Sequence, residues 1–397
     1  MVNQEQVHAS NSNSNSNSNI TGSAQPATAE QVMIATEDTF SLPWWTVMAP
    51  VFAWLLFGGT AFFSGNAYNG LLALGLMGGV LAAVHHAEVV AHKVGEPFGT
   101  LVLAVAVTLI EVALIVSLMI SGGPETTALA RDTVFASVMI ILNGIVGLCL
   151  LVGGVRYGEQ HFGLDGVSAS LTTLTAITVL ALILPNYTSS VVGPVYSQSQ
   201  LAFIALVSLV LYLTFVLVQT VRHRDYFLPL DAEAAADVQA HAAPPSAKVA
   251  GLSVALLIVC LVAVVLLAKK LAPTIELVVA NMGAPKALVG VIIAAVVLLP
   301  EALAALRAAR NNRLQTSLNL ALGSALASIG LTIPAVAIVS LLSGLTLTLG
   351  IDLKATVLLG LSLFVTVIAL QTGRTTVLQG SVLLVIFAVY LFTTIVP

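Results

Sequence analysis

From Trp44 onward the chain reads as long apolar runs broken by short polar links. Apolar stretches recur at about 44–63, 69–91, 97–121, 133–154, 166–185, 200–221, 249–270, 286–308, 315–342, 351–371 and 376–396. A helix needs ~20 predominantly apolar residues to cross the hydrocarbon core of a bilayer, and these runs are of that order. A membrane-spanning barrel would alternate apolar and polar positions in segments of ~10 residues, and these runs do not. The pattern predicts an all-α polytopic membrane protein with about eleven transmembrane helices, embedded in a lipid bilayer. A separate short helix over 273–284 would change the connectivity of the later spans.

The polar segments divide the chain. Residues 1–43 carry the repeat NSNSNSNSN (Asn11 to Asn19) and read as a disordered tail; with no Lys or Arg in the first 40 positions, they lack the charged start of a signal peptide. Residues 44–66 form a leading span, and 222–248, with Asp225, Asp231, Glu233 and Asp237, form an acidic linker between two larger blocks, 67–221 and 249–397. Counting loops from the N-terminal side, Lys and Arg fall nine on that side and five on the other. The excess places the N-terminus and the linker in the cytoplasm, as in a multi-pass protein of a bacterial inner membrane.

The two blocks resemble each other. AEVVAHKVGEP (Ala87 to Pro97) aligns with IELVVANMGAP (Ile275 to Pro285), so that Glu88 meets Glu276, Gly95 meets Gly283 and Pro97 meets Pro285. With a two-residue insertion, Glu111 meets Glu301, and ILNGIVGL (Ile141 to Leu148) then faces SALASIGL (Ser324 to Leu331). Each block holds five spans, and an odd number makes the second enter the membrane from the opposite side. Two inverted five-helix repeats are a layout of secondary transporters that bind their substrate near the bilayer midplane.

Composition narrows the chemistry. Only 8% of residues are charged, against roughly 25% in an average soluble domain. Glu111 and Glu301 nevertheless sit in the middle of apolar runs, where a charged side chain costs about 2.5–3.5 kcal/mol even on insertion scales. No basic residue lies at their depth to pair with them. Around them fall neutral oxygens: Thr108 three residues before Glu111, Ser137 and Asn143 in the fourth span, and Asn319, Ser324 and Ser328 in the ninth. Carboxylates, amides and hydroxyls are the donors of hard cations. Each of these residues also has a structural alternative, a helix–helix hydrogen bond or a bond to a local carbonyl. Pro300 removes the helical partner of the Val296 carbonyl, which kinks the helix or frees an oxygen for a cavity. Glu88, Glu276, His85 and His86 lie nearer helix ends and suit a proton relay or gate, or a structural role. Cys149 and Cys260 sit in apolar runs as small core residues. No zinc-type Cys/His spacing, phosphate-binding GxxxxGK[ST] loop or Ser/His arrangement at depth occurs, which argues against an enzyme, an ATP motor, a bound cofactor or a nucleic-acid partner.

GEPFGTLVLAVAVTLIEVALIVSL and PEALAALRAARNNRLQTSLNLALGSALASIGLTIP resemble the two inverted repeats of the calcium/cation antiporter superfamily, in its calcium–proton exchanger branch. The resemblance covers most of the chain after residue 44. It implies a secondary active antiporter that exchanges cytosolic Ca²⁺, Na⁺ or K⁺ for external protons, with Glu111 and Glu301 binding cation and proton in turn. It also implies ligand roles for Asn143, Asn319, Ser324 and Ser328, and an acidic position at Glu88. One departure stands out: where many members carry Gly-Asn before each Glu, in a G-N-x-x-E pattern, this chain has Val107-Thr108 and Val297-Leu298. Fewer side-chain oxygens weaken a Ca²⁺ cage and keep Na⁺ and K⁺ in play. A channel or uniporter using the same carboxylates as a filter is the alternative.

Overall fold

The computed structural model describes residues 42–95, 98–122, 126–228 and 245–396. The Asn/Ser-rich tail and most of the acidic linker lie outside the described residues. Eleven helices follow one another: α1 Trp44–Gly59, α2 Asn66–Val94, α3 Phe98–Gly122, α4 Leu129–Tyr157, α5 Leu164–Tyr187, α6 Gln198–Arg222, α7 Ala247–Asn281, α8 Ala287–Arg310, α9 Leu314–Ser343, α10 Leu353–Leu370 and α11 Val377–Ile395. Among the described residues, ten are long and apolar enough to cross a bilayer. The exception is α1: the predicted span to residue 63 stops at Gly59, where Gly58-Gly59-Thr60 turns the chain. Its 16 residues reach about 24 Å at 1.5 Å each, short of the ~30 Å hydrocarbon core.

A second difference concerns 273–284. No separate helix forms there; α7 runs unbroken through Pro273 to Asn281. The proline deprives only the Lys269 carbonyl of a helical donor, and Lys269 is exposed, so the helix survives. Likewise α8 continues through Pro300. The linker also begins later than its polar composition suggests: Arg224–Phe227 form a 3₁₀ turn whose Phe227 is buried against Phe215 of α6.

Helix packing exchanges partners between the halves. α2 packs along α7; α3 packs on α9 while α8 packs on α4; α6 packs on α9 while α11 packs on α4. Small residues permit the closest of these contacts, as membrane helices require. A Cβ at Gly290 of α8 would lie 2.9 Å from the Asp132 carbonyl carbon of α4. At the other end of the same pair, Tyr157 Oη donates to the Arg310 carbonyl (2.7 Å), so α4 and α8 run parallel.

Two apolar cores result. The larger joins α4, α5, α6, α9, α10 and α11; the smaller joins α1, α2 and α7. Helices α3 and α8 feed both: Ile115 and Leu298 enter the larger, Ile110 and Val297 the smaller. One end of the bundle is stitched by loops. The two-residue strands β1 (Gln160–His161) and β2 (Arg374–Thr375) pair antiparallel, Arg374 approaches Glu159 at 3.7 Å, and Gln160 Nε2 donates to Asn312 Oδ1 at 2.9 Å. Arg131 Nη1 donates to the Gly350 carbonyl (3.1 Å) at the opposite end.

Candidate functional site

Glu111 sits midway along α3 and is 2% exposed. It faces α4 and α9 because the apolar positions of α3 are shared between the two cores. Ser328 Oγ of α9 lies 2.7 and 2.8 Å from the two carboxylate oxygens, and Ser137 Oγ of α4 donates to Oε1 at 3.3 Å. The first repeat's carboxylate is therefore held by one hydroxyl from each repeat. Thr108 is buried one turn away, yet only Ser137 and Ser328 bond Glu111 among the described residues.

Glu301 lies on α8, close enough for its charge and those of Glu111 and Glu88 to act on one another. Its Oε2 is buried and makes no hydrogen bond. Among the described residues no Lys or Arg forms an ion pair with Glu111 or Glu301, which excludes the simplest structural role for either. Asn143 is 0% exposed and sits in a wide π-helical turn, Ile140–Ile145, that interrupts α4. Its Nδ2 donates to Ser362 Oγ of α10 at 2.9 Å and approaches the Met139 carbonyl at 3.3 Å, while Oδ1 is buried without a hydrogen bond. π-turns inside helices recur at functional sites.

Three predicted residues are placed elsewhere. Asn319 is engaged at both ends of its amide: Nδ2 donates to the Phe227 carbonyl (2.6 Å) and Oδ1 accepts from Gln315 Nε2 (3.1 Å). It fastens the 3₁₀ turn after α6 to the start of α9 and does not join Glu111. Ser324 is half-buried one turn before Ser328 and bonds neither carboxylate. Glu276 is exposed on α7, so the repeat partner of Glu88 does not share its setting.

The histidine pair divides. His86 is fully buried and its Nε2 meets the Thr46 carbonyl at 3.1 Å, tying α2 to α1. His85 stands 3.8 Å from Glu88 and 5.6 Å from the Trp45 ring, ring centroid to ring centroid. A small apolar crevice lies between α2, α3, α7 and α8, lined among others by Leu76, Leu114, Ile275 and Val296. Ser362 is the participant that sequence reasoning missed; its trace in the sequence is the Ser362/Thr366 pair, four apart on one face of an apolar helix and both fully buried.

The sodium/calcium exchanger protein family model matches twice, over residues 65–221 and 252–396. The chain belongs to this family. The two matched stretches lie on either side of the linker. Among relatives, an ionic transporter of Sinorhizobium fredii, y4hA, is 51% identical over 328 residues, covering 82% of this chain and 88% of that one. The sodium-potassium/proton antiporter ChaA of Escherichia coli is 36% identical over 327 residues, with the same coverage. The fold matches native YfkE with a TM-score of 0.68 (18% identity; 89% of this chain, 100% of that one). It matches the H⁺/Ca²⁺ exchanger CAX with a TM-score of 0.66 (15% identity; 87% of each).

Proposed function

We propose that this protein is a secondary active antiporter that carries a cytosolic cation out in exchange for protons by alternating access, with Glu111 and Glu301 binding cation and proton in turn. The observation that carries the reading is Glu111: a buried carboxylate without a cationic partner among the described residues, gripped by hydroxyls from both repeats. A purely structural carboxylate at this depth would have a basic partner, because an uncompensated buried charge is costly. Glu301, the repeat partner, offers a second carboxylate, and Asn143 an amide oxygen. Their donor set is oxygen throughout, which suits hard cations. At the cytoplasmic face both carboxylates give up protons and accept the cation; at the far face protons displace it. The N-terminus lies in the cytoplasm, and the membrane is a bacterial inner membrane.

The cation is Ca²⁺, Na⁺ or K⁺. Val297 and Leu298, both 2% exposed, are buried in the apolar cores and supply no side-chain oxygen beside Glu301 in sequence, which favours retaining the monovalent ions. The Escherichia coli relative, named a sodium-potassium/proton antiporter, supports the same set.

The test uses everted membrane vesicles with an acid interior. Wild type should accumulate cation as protons leave, and Glu301→Gln and Glu111→Gln should abolish this while inserting normally. Proton-coupled accumulation at the wild-type rate in either variant overturns the proposal. Uptake that dissipates with the cation gradient and ignores the proton gradient would instead identify a channel.

A further inference from the structure

We infer that Ser362, on α10, is a positioning residue for the transported cation: it fixes the Asn143 side-chain amide so that its oxygen, not its nitrogen, is left open to the cation inside the bundle. This rests on the reading of Asn143 as a cation ligand.

The polarity of the Ser362 hydroxyl is set by its own helix. Ser362 Oγ donates to the Leu358 carbonyl at 2.7 Å in preference to the more distant and weaker acceptor, the Met139 sulfur of α4 at 3.5 Å, so its single hydrogen is used within its own helix and its lone pairs face Asn143. Against those lone pairs an amide can place only its NH₂ group. Asn143 does so, with Nδ2 at 2.9 Å; the Met139 carbonyl at 3.3 Å and the Met139 sulfur at 3.8 Å take the same side. The Met139 sulfur also lies 3.5 Å from Ser362 Oγ, completing a three-residue cluster in which every other contact accepts from the amide nitrogen. Turning the amide over would set its oxygen against Ser362 Oγ and the Met139 carbonyl, two acceptors with no hydrogen to give. Oδ1 is therefore left free of partners inside the protein, where an unbonded polar atom carries its full desolvation cost.

Register gives the level of that oxygen in the bundle. α8 and α4 touch at Gly290 and Asp132–Thr133, and run parallel to their contact at Arg310 and Tyr157. Glu301 follows Gly290 by eleven residues, and Asn143 follows Asp132 by eleven. Counted from the first of these contacts, the two residues stand at about the same level on packed helices, and each owns a buried oxygen without a hydrogen bond, Oε2 and Oδ1. A hard cation accepts both oxygens and is repelled by an amide N–H. Among the described residues, no contact other than those of Ser362 and Met139 fixes which end of the amide points inward.

The experiment uses the full chain in proteoliposomes, with Ca²⁺, Na⁺ and K⁺ each as the transported probe at a fixed proton gradient. Ser362→Ala removes the acceptor and should raise the cation KM about tenfold while leaving the maximal rate within about twofold. Ser362→Thr keeps the hydroxyl and its bond to the preceding turn, and should restore the wild-type KM. In an Asn143→Ala background, Ser362→Ala should add nothing, as expected when one residue acts through another. An unchanged KM in Ser362→Ala, equal behaviour of the Ala and Thr variants, or additive effects would overturn the inference. The site reading fails separately: it falls if Asn143→Ala keeps the wild-type KM and Glu301→Gln keeps exchange. Loss in those two with a silent Ser362→Ala removes only the positioning role.

Discussion

The two hydroxyls on Glu111 are unequal, and the inequality is measurable. Ser328 Oγ lies 2.7 and 2.8 Å from the carboxylate oxygens, whereas Ser137 Oγ lies 3.3 Å from one of them. An O–H···O bond is typically ~2.7–2.8 Å, so the Ser137 contact is long and weak. Hydrogen bonds to charged groups contribute ~1.5–3 kcal/mol, neutral-strength ones ~1 kcal/mol. Each 1.4 kcal/mol is about tenfold in affinity. Ser328→Ala should therefore raise the cation KM by about ten- to a hundredfold, because the carboxylate loses its main orienting contact and a ligand-capable oxygen at once. Ser137→Ala should cost no more than about fivefold. Both variants lose a single oxygen from a helix that keeps all its packing, so the folded yield should hold. The assay is cation-dependent proton efflux from vesicles at fixed external pH, with KM read for each variant. If Ser137→Ala proves as costly as Ser328→Ala, or both are silent at wild-type yield, the geometry around Glu111 does not govern cation affinity.

Two further outcomes concern stability. Gly290→Val should destabilise the fold by about 1–3 kcal/mol or more, since the added atoms meet the Asp132–Thr133 backbone, which cannot rotate away; Gly251→Val, on α7 with nothing near, should melt as wild type in detergent. Tyr196, in the loop before α6, donates to the Leu180 carbonyl at 2.5 Å, and burial pushes its phenol up to about 12. A pKa raised above the usual ~10 means the stabilisation is complete below that pH and is lost as the pH climbs through the folded value. Tyr196→Phe should thus be less stable by ~1 kcal/mol at neutral pH, with the gap shrinking from pH 10 to pH 12; a gap independent of pH argues against it.

Hydropathy made most of the helices readable, because a bilayer leaves an apolar run few alternatives. What it could not reveal was continuity. Pro273 looks like a break, yet α7 passes through it where the orphaned carbonyl is near an exposed lysine. The carboxylates were legible for the same reason as the helices: charge at depth is conspicuous. Their companions were harder. Asn319 precedes Ser328 by nine residues, which at 100° per residue puts the two on opposite faces of α9, and the structure shows Asn319 bonded away from Glu111. Periodicity held that information. It held none about Asn143, because the π-turn over Ile140–Ile145 shifts the face of every later residue on α4. Ser362 carried no mark beyond a hydroxyl in an apolar helix, and hydroxyls there usually bond their own turn, as this one also does.

The grip on Glu111 also bears on ancestry. Its two serines come from different halves of the chain, and the position matching Ser328 in the first half is Ile145. Two copies of the first half, assembled head to tail in the membrane, would offer each glutamate one long contact and an aliphatic side chain. The halves of this protein are therefore not interchangeable: the first depends on the second for the stronger hold on its glutamate, and a second copy of itself would not supply it.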